Sequence, residues 1–117
     1  MDYTKVLDVE DVKERLLGNE GLYKRLLVRF SEETSVAELR EAVANGNVET
    51  GFHVAHTLKG VVGNLGLKKL TATVVPVVEI LRGGALPSAD DMQKIDAAYA
   101  ETVEAIQYVA GDNVKLF

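Results

Sequence analysis

Asparagine and glycine residues divide this chain into segments of helical length. Gly18-Asn19 and Asn45-Gly46-Asn47 interrupt the first half of the chain, and Gly83-Gly84 interrupts the second half. Both residue types tolerate the left-handed backbone conformation that ends a helix, and asparagine also caps the helix that follows. Between these stops, apolar residues recur at the spacing of amphipathic helices. The pattern therefore predicts an all-α protein.

These signals bound five predicted helices, at about residues 8–18, 19–45, 47–66, 68–83 and 88–111. Asp8 caps the short first helix, and Ser88-Ala89-Asp90-Asp91 resembles a capping box at the start of the last. The second helix carries one apolar face through Phe30, Ala37 and Leu39, and Gly111-Asp112-Asn113 stops the last helix. Short connections favour antiparallel neighbours. We expect an up-down-up-down four-helix bundle with a short extra N-terminal helix lying across one end.

The fourth helix contains one ambiguous segment. Val74-Val75-Pro76-Val77-Val78 is rich in β-branched residues, which suits a strand, but proline cannot donate a hydrogen bond to a sheet. The apolar residues from Leu70 to Leu81 fit helical spacing. We interpret the segment as a helix kinked near Pro76.

Length and composition exclude several classes of protein. A chain of 117 residues fits a single domain over residues 1–117, and the absence of cysteine rules out disulfides, cysteine-ligated zinc and thiol chemistry. The net charge of -5 argues against nucleic-acid binding. The N-terminus lacks the apolar core of a signal peptide, and the most apolar run is too short and too polar to cross a bilayer. We expect a soluble cytoplasmic protein without a membrane partner.

The charge is unevenly distributed along the chain. No acidic residue lies between Glu49 and Glu79, whereas Lys59, Lys68 and Lys69 fall in that interval. A stretch without acidic residues can arise by chance. The same stretch also predicts a locally positive surface on an acidic protein.

The third helix carries the candidate chemistry. His56 lies on the flank of its apolar stripe, with Lys59 three, Gly60 four and Gly63 seven positions further on. A glycine inside a helix costs about 1 kcal/mol relative to alanine, so both glycines need a reason. The reason is either close packing of a neighbouring helix or clearance beside His56. The position of Gly60 favours clearance, and Gly63 fits either. The predicted stripe consists of Val48, Gly51, Phe52, Ala55, Leu58, Val62 and Leu65.

The run Ala55-His56-Thr57-Leu58-Lys59-Gly60, followed by Gly63-Asn64-Leu65-Gly66 and Leu70, resembles the signature of histidine-containing phosphotransfer (HPt) domains. These domains are helical bundles that relay a phosphoryl group in multistep two-component signalling. The motif covers residues 55–70, and the order of helices extends a looser likeness over most of the chain. Val61-Val62 departs from the small residues usual in the family, but neither side chain is predicted to face the imidazole.

The resemblance implies that His56 is the phosphoacceptor, that Lys59 stabilises the phosphoryl oxygens and that Gly60 provides clearance. A neutral imidazole is a competent nucleophile near pH 7, and an ammonium group can bind phosphoryl oxygens. The implied partners are response-regulator receiver domains and a hybrid sensor kinase. The protein would be a carrier without its own ATP site, not an enzyme. It needs no cofactor of its own, because magnesium is expected from the receiver domain.

A docking rim is expected around this site. Its candidate members are His53, Gly63, Leu67, Lys68 and Lys69, with Leu16 and Leu17 as further apolar candidates. The two lysines fit a solvated turn as well as a docking face. His53 and His56 are close enough along the helix to suggest a pair of metal ligands. We do not expect a metal site, because Glu49 is the sole further potential ligand nearby. We expect a monomer.

The alternative function is a phosphate-independent helical adaptor that binds receiver domains or partner helices.

Overall fold

The computed structural model of the chain describes residues 1–111 and 114–117. After a 3-10 turn at Tyr3–Lys5, which was not predicted, these described residues form six α-helices. They are α1 (Val9–Arg15), α2 (Glu20–Ser31), α3 (Ser35–Ala44), α4 (Val48–Asn64), α5 (Lys68–Arg82) and α6 (Ala89–Gly111). The prediction of an all-α protein is confirmed, since the described ranges contain no strand.

Polar side chains begin four of these helices as the sequence predicts. Asp8, Asn19 and Asn47 each accept a hydrogen bond from the backbone N–H three residues later, at 3.0–3.3 Å. Ser88 and Asp91 form a reciprocal capping box with two bonds of 3.0 Å. The bond from the Ser88 backbone is the main cause that lowers the pKa of Asp91. These caps satisfy N–H groups that have no partner within a helix.

The prediction of one long helix over residues 19–45 is wrong. Residues 32–34 separate α2 from α3, and a new start forms at Thr34, whose hydroxyl donates to the Glu38 carboxylate at 3.2 Å. The interruption changes the rotation of the following helix. Val36 and Leu39 are buried, whereas Ala37, which was expected in the core, is exposed.

The helices pack as a bundle in which α2 and α3 together replace the long second helix. α4 lies between α3 and α5, while α6 packs against α5 and α2. α5 is helical through Pro76, so the helical interpretation of that segment is confirmed and the kink stays a prediction. Of the predicted stop at Gly111-Asp112-Asn113, Asp112 and Asn113 lie outside the described residues.

α4 and α5 approach closely at Gly51. A Cβ atom at this position would lie 3.2 Å from Cδ2 of Leu81 and 3.9 Å from Cβ of Ala42. The missing side chain therefore lets α5 and α3 pack against the backbone of α4. Because α5 runs back along α4, this contact brings the end of α5 beside the beginning of α4.

α1 is held against the turn between α4 and α5. The Asp8 N–H donates to the Gly66 carbonyl at 2.7 Å, and Arg15 donates to two carbonyls at the end of α4, at 3.3 and 2.6 Å. Gly66 has a φ of +66°, and a Cβ there would lie 2.6 Å from Cγ2 of Val12. A glycine is thus required in this turn.

The C-terminal segment returns to α2. The ring of Phe117 stacks on Tyr23 with centroids 5.7 Å apart, and the buried Tyr23 hydroxyl donates to the Leu65 carbonyl at 2.7 Å. The backbone N–H groups of Leu116 and Phe117 donate to one oxygen of Glu20, at 2.6 and 2.7 Å. These bonds, the one from Phe117 most of all, lower the pKa of Glu20.

We predict that Glu20→Gln lowers the melting temperature at neutral pH and loses this effect in acid. The carboxylate form makes the bonds, so its contribution is complete above the ordinary pKa of 4.5 and is lost as the pH falls below that value through the folded-state pKa. Thermal unfolding followed by circular dichroism between about pH 7 and pH 2 measures the effect. Glu104→Gln, at an exposed position on α6, is the matched control. A difference between wild type and Glu20→Gln that is independent of pH would contradict the prediction.

Candidate functional site

α4 presents one face to the core and the opposite face to solvent. Gly51, Ala55, Leu58 and Val62 are buried, which confirms the centre of the predicted stripe, and Val48, Phe52 and Leu65 at its edges are partly buried. Burial of this stripe fixes the rotation of the helix about its axis. His56 is exposed as a result.

The imidazole of His56 lies on the ring of Phe52, one turn earlier in α4. The ring centroids are 5.6 Å apart and the planes are inclined by 19°, which is a stacked arrangement. Phe52 is itself half-buried and packs against the core. From the sequence, Phe52 is assigned to the core alone. Its spacing of four residues from His56 is the signal that predicts the contact.

Arg82, the last residue of α5, approaches the same aromatic ring. Its Cζ atom lies 5.0 Å from the Phe52 centroid, and its Nε lies 3.4 Å from a carboxylate oxygen of Glu79. A guanidinium over an aromatic face is attracted by the negative potential of that face. Arg82 is absent from the predicted site. The sequence does contain a signal for this contact, because Arg82 and Phe52 lie at similar distances along the chain from the turn that joins α4 and α5.

Lys59, Gly60 and Gly63 line the outer side of α4 beyond His56. Lys59 is half-buried, and it forms no ion pair with any residue in the described part of the chain. At Gly60 and Gly63, a Cβ atom would meet no described atom within 4 Å. Close packing of a neighbouring helix is therefore not the reason for either glycine. Both leave open space on the flank of α4 that carries His56.

The predicted docking rim is divided between different surfaces. Gly63 and Lys68 line a cleft of about 300 Å³ at the α4–α5 turn, opposite Asp8 and Asp11. His53 instead lines a cleft on the side of α3. Gly63 and Lys68 therefore share one surface, and His53 belongs to another.

One candidate of the rim requires correction, and a second faces a different helix. Leu67 is 0% exposed, because it closes the core beneath the α4–α5 turn, and it cannot offer its side chain to a partner. Lys69 forms an ion pair with Glu101 of α6. Neighbouring residues of a helix point about 100° apart, so Lys69 faces α6 while Lys68 lines the cleft shared with Gly63 and with the acidic residues at the start of α1.

The apolar candidates at the end of α1 differ from each other. Leu17 is 93% exposed and adopts a φ of 52°, whereas Leu16 is half-buried. Leu17 therefore remains available for a docking surface.

Within the described ranges, no group of three or more potential metal ligands forms. No helix in this part of the chain is long and apolar enough to cross a membrane.

α4 thus presents the exposed His56 on the same flank as the open glycines Gly60 and Gly63, with Lys59 one turn away. The family model of the Hpt domain matches residues 25–108, a range that includes His56, Lys59 and Gly60. The chain therefore belongs to the Hpt domain family. Members of this family serve histidine phosphotransfer in phosphorelays and interact with receiver and kinase partners. No curated protein and no solved structure matches the chain significantly.

We predict that replacing glycine by alanine stabilises the fold at the two open positions and destabilises it at Gly66. Gly60→Ala and Gly63→Ala each raise the free energy of unfolding by about 0.5–1 kcal/mol, because alanine favours the helix and its Cβ meets open space. Gly66→Ala lowers it by more than about 1 kcal/mol, because the backbone conformation and Val12 both oppose a Cβ. Urea unfolding measures all three variants. Destabilisation by Gly60→Ala would contradict the prediction.

Proposed function

We propose that His56 accepts a phosphoryl group from the aspartyl phosphate of one receiver domain and donates it to an aspartate of another. The observation that carries this proposal is the exposed imidazole on α4, with Lys59 one turn away and open space at Gly60. Membership of the Hpt domain family supports it. A hybrid sensor kinase would supply the first phosphoryl group, and the chain would act as a cytoplasmic carrier without an ATP site.

The proposed transfer makes one bond and breaks one bond at phosphorus. The unprotonated ring nitrogen of His56 attacks the phosphorus, the bond from phosphorus to the aspartyl oxygen breaks, and the carboxylate leaves with its electron pair. The second transfer reverses these roles, because the carboxylate of the next receiver attacks and the imidazole leaves. Each step conserves one phosphoryl group, so the carrier requires no further reactant.

Lys59 has the chemistry needed to stabilise this transfer. Phosphoryl transfer depends mainly on positioning and on the neutralisation of charge at the phosphoryl oxygens. Lys59 follows His56 by three residues, a spacing that makes the two side chains neighbours on a helix surface, and Lys59 is half-buried. We propose that its ammonium contacts the oxygens of the transferred group.

Clearance and charge on this face suit the active site of a receiver domain. Open space at Gly60 would admit the phosphoryl group and the loops that surround the partner's aspartate. The carboxylates of the partner would bring the magnesium ion. Lys68 and Gly63 would form part of the docking surface, but Asp8 and Asp11 line the same cleft. The positive charge that complements an acidic partner would therefore come mainly from Lys59.

We predict that His56→Gln abolishes transfer from a radiolabelled, phosphorylated receiver domain and that His53→Gln preserves it. The label on the wild-type protein should be labile in acid and stable in base, as expected of a phosphorus–nitrogen bond. His53 is the matched control, because it is exposed on the same helix but lies on the side of α3. Transfer that survives His56→Gln and is lost in His53→Gln would disprove the assignment. Binding of receivers without any transfer would favour the adaptor function.

The same assay tests the role of Lys59. Lys59→Ala is expected to slow transfer by roughly ten- to a hundredfold, because a positive charge near the phosphoryl oxygens is lost. Lys69→Ala removes the same charge at a position that faces α6, and it is expected to leave the rate within about twofold of wild type. Equal rates for the two variants would contradict the role of Lys59.

A further inference from the structure

We propose that Phe52 and Arg82 are positioning residues for the phosphoacceptor: Phe52 holds the plane of the His56 imidazole, and Arg82 holds the ring of Phe52. This inference rests on the proposed role of His56. Three side chains from two helices are involved, and neither Phe52 nor Arg82 belongs to the predicted site. Arg82 acts through Phe52 in this proposal and not through the phosphoryl group.

An exposed histidine on a helix can adopt several rotamers, and only some of them present a ring nitrogen to an incoming phosphorus. The stacked contact with Phe52 selects one orientation, with the planes inclined by 19°. The ring of His53 also lies near Phe52, at 5.7 Å between centroids, but it is inclined by 60°. The parallel arrangement is therefore particular to His56.

Parallel stacking leaves the reactive electrons of His56 accessible. The lone pair of an imidazole nitrogen lies in the plane of the ring, so it points along the face of Phe52 and not into it. An attacking phosphorus must approach in that plane. Phe52 can thus restrict the orientation of the nucleophile without covering it, which lowers the entropy that must be lost before attack.

Phe52 is suited to this task because it is restrained from two directions. One side of it packs against the core, and Arg82 lies over its ring at 5.0 Å from the centroid. Glu79 in turn engages the Arg82 guanidinium at 3.4 Å. The side chains form a continuous series from α5 to the imidazole.

The contact between the two helices at Gly51 explains why Arg82 reaches Phe52. Gly51 directly precedes Phe52, and Leu81, which packs on Gly51, directly precedes Arg82. This close contact of α4 and α5 therefore lies one residue before both members of the pair. A small movement of α5 at this point would move Arg82 relative to Phe52.

Phosphoramidate tests the inference without a protein partner. Its phosphorus–nitrogen bond breaks as a new bond forms between phosphorus and the His56 ring nitrogen, and ammonia leaves. The maximal rate and the concentration at half-saturation are measured for wild type, Phe52→Leu, Phe52→Tyr and Arg82→Gln. NMR shifts of the His56 ring protons report the stack in the unphosphorylated proteins, and circular dichroism establishes that each variant is folded.

We expect Phe52→Leu to lower the maximal rate by about tenfold with little change in half-saturation, because orientation and not binding is impaired. Phe52→Tyr keeps the aromatic face and should restore the rate. Arg82→Gln should lower the rate by roughly two- to fivefold and move the His56 ring protons toward their unstacked shifts, although the Phe52 ring is still present. Arg29→Gln, at an exposed position on α2, is the matched control and should change neither.

The outcomes separate the two proposals. If wild type is phosphorylated and Phe52→Leu reacts at the same rate, the positioning role is overturned while the proposed function stands. If Arg82→Gln raises the half-saturation concentration and leaves the His56 shifts unchanged, Arg82 binds the phosphoryl group directly and its positioning role is overturned. If phosphoramidate does not phosphorylate wild type at His56, the proposed function is overturned and the positioning role with it. Arg82 is exposed, so its variant tests the inference even if Phe52→Leu does not fold.

Discussion

The burial of one stripe of α4 is the constraint on which the arrangement of this domain depends. Ala55, Leu58 and Val62 face the interior, and any rotation that buried His56 would expose them to water. Burial of apolar surface contributes roughly 25 cal/mol per Å², so such a rotation is strongly opposed. His56 is therefore kept at the surface by residues on the other side of its own helix. The contacts that His56 makes for itself adjust only the orientation of its ring.

Glycine contributes to the site in two physically different ways. At Gly51 its small size lets α5 approach the backbone of α4, so that side chains of two helices meet beside the imidazole. At Gly60 and Gly63 the same small size leaves solvent where a side chain would stand. One face of α4 thus uses glycine to admit a neighbouring helix of the same chain, and the other face leaves room for a second molecule.

Local signals in the sequence were sufficient for most helix boundaries, because a cap depends on residues close along the chain. Asp8, Asn19 and Asn47 each cap the helix expected of them. The interruption at residues 32–34 contains neither glycine nor proline, and the apolar spacing continues across it. Thr34 was the available signal, since threonine is favoured at the position before a helix, although its side chain makes no capping bond to the backbone here.

The part of the candidate site that lies on α4 was indicated by the sequence only in part. His56, Lys59 and Gly60 were proposed from their spacing together with the resemblance to HPt domains, and Phe52 was assigned to the core alone. Arg82 depends on how two helices cross. The same limit applies to Lys68 and Lys69, which are adjacent in sequence but face different helices. Leu67 was expected in the docking rim, yet it is buried beneath the turn between α4 and α5. Positions that depend on contacts between distant segments require the three-dimensional arrangement.

The two open glycines have a further consequence for the backbone of α4 itself. Side chains normally shelter the peptide groups of a helix from water, and Gly60 and Gly63 remove that shelter from one side. The amide protons near them should exchange with solvent faster than those beside Ala55 and Leu58, although all belong to one helix. A partner that covers this flank would exclude water and strengthen the same peptide hydrogen bonds. Association would thus make the helix most rigid during the period in which its histidine must be held still.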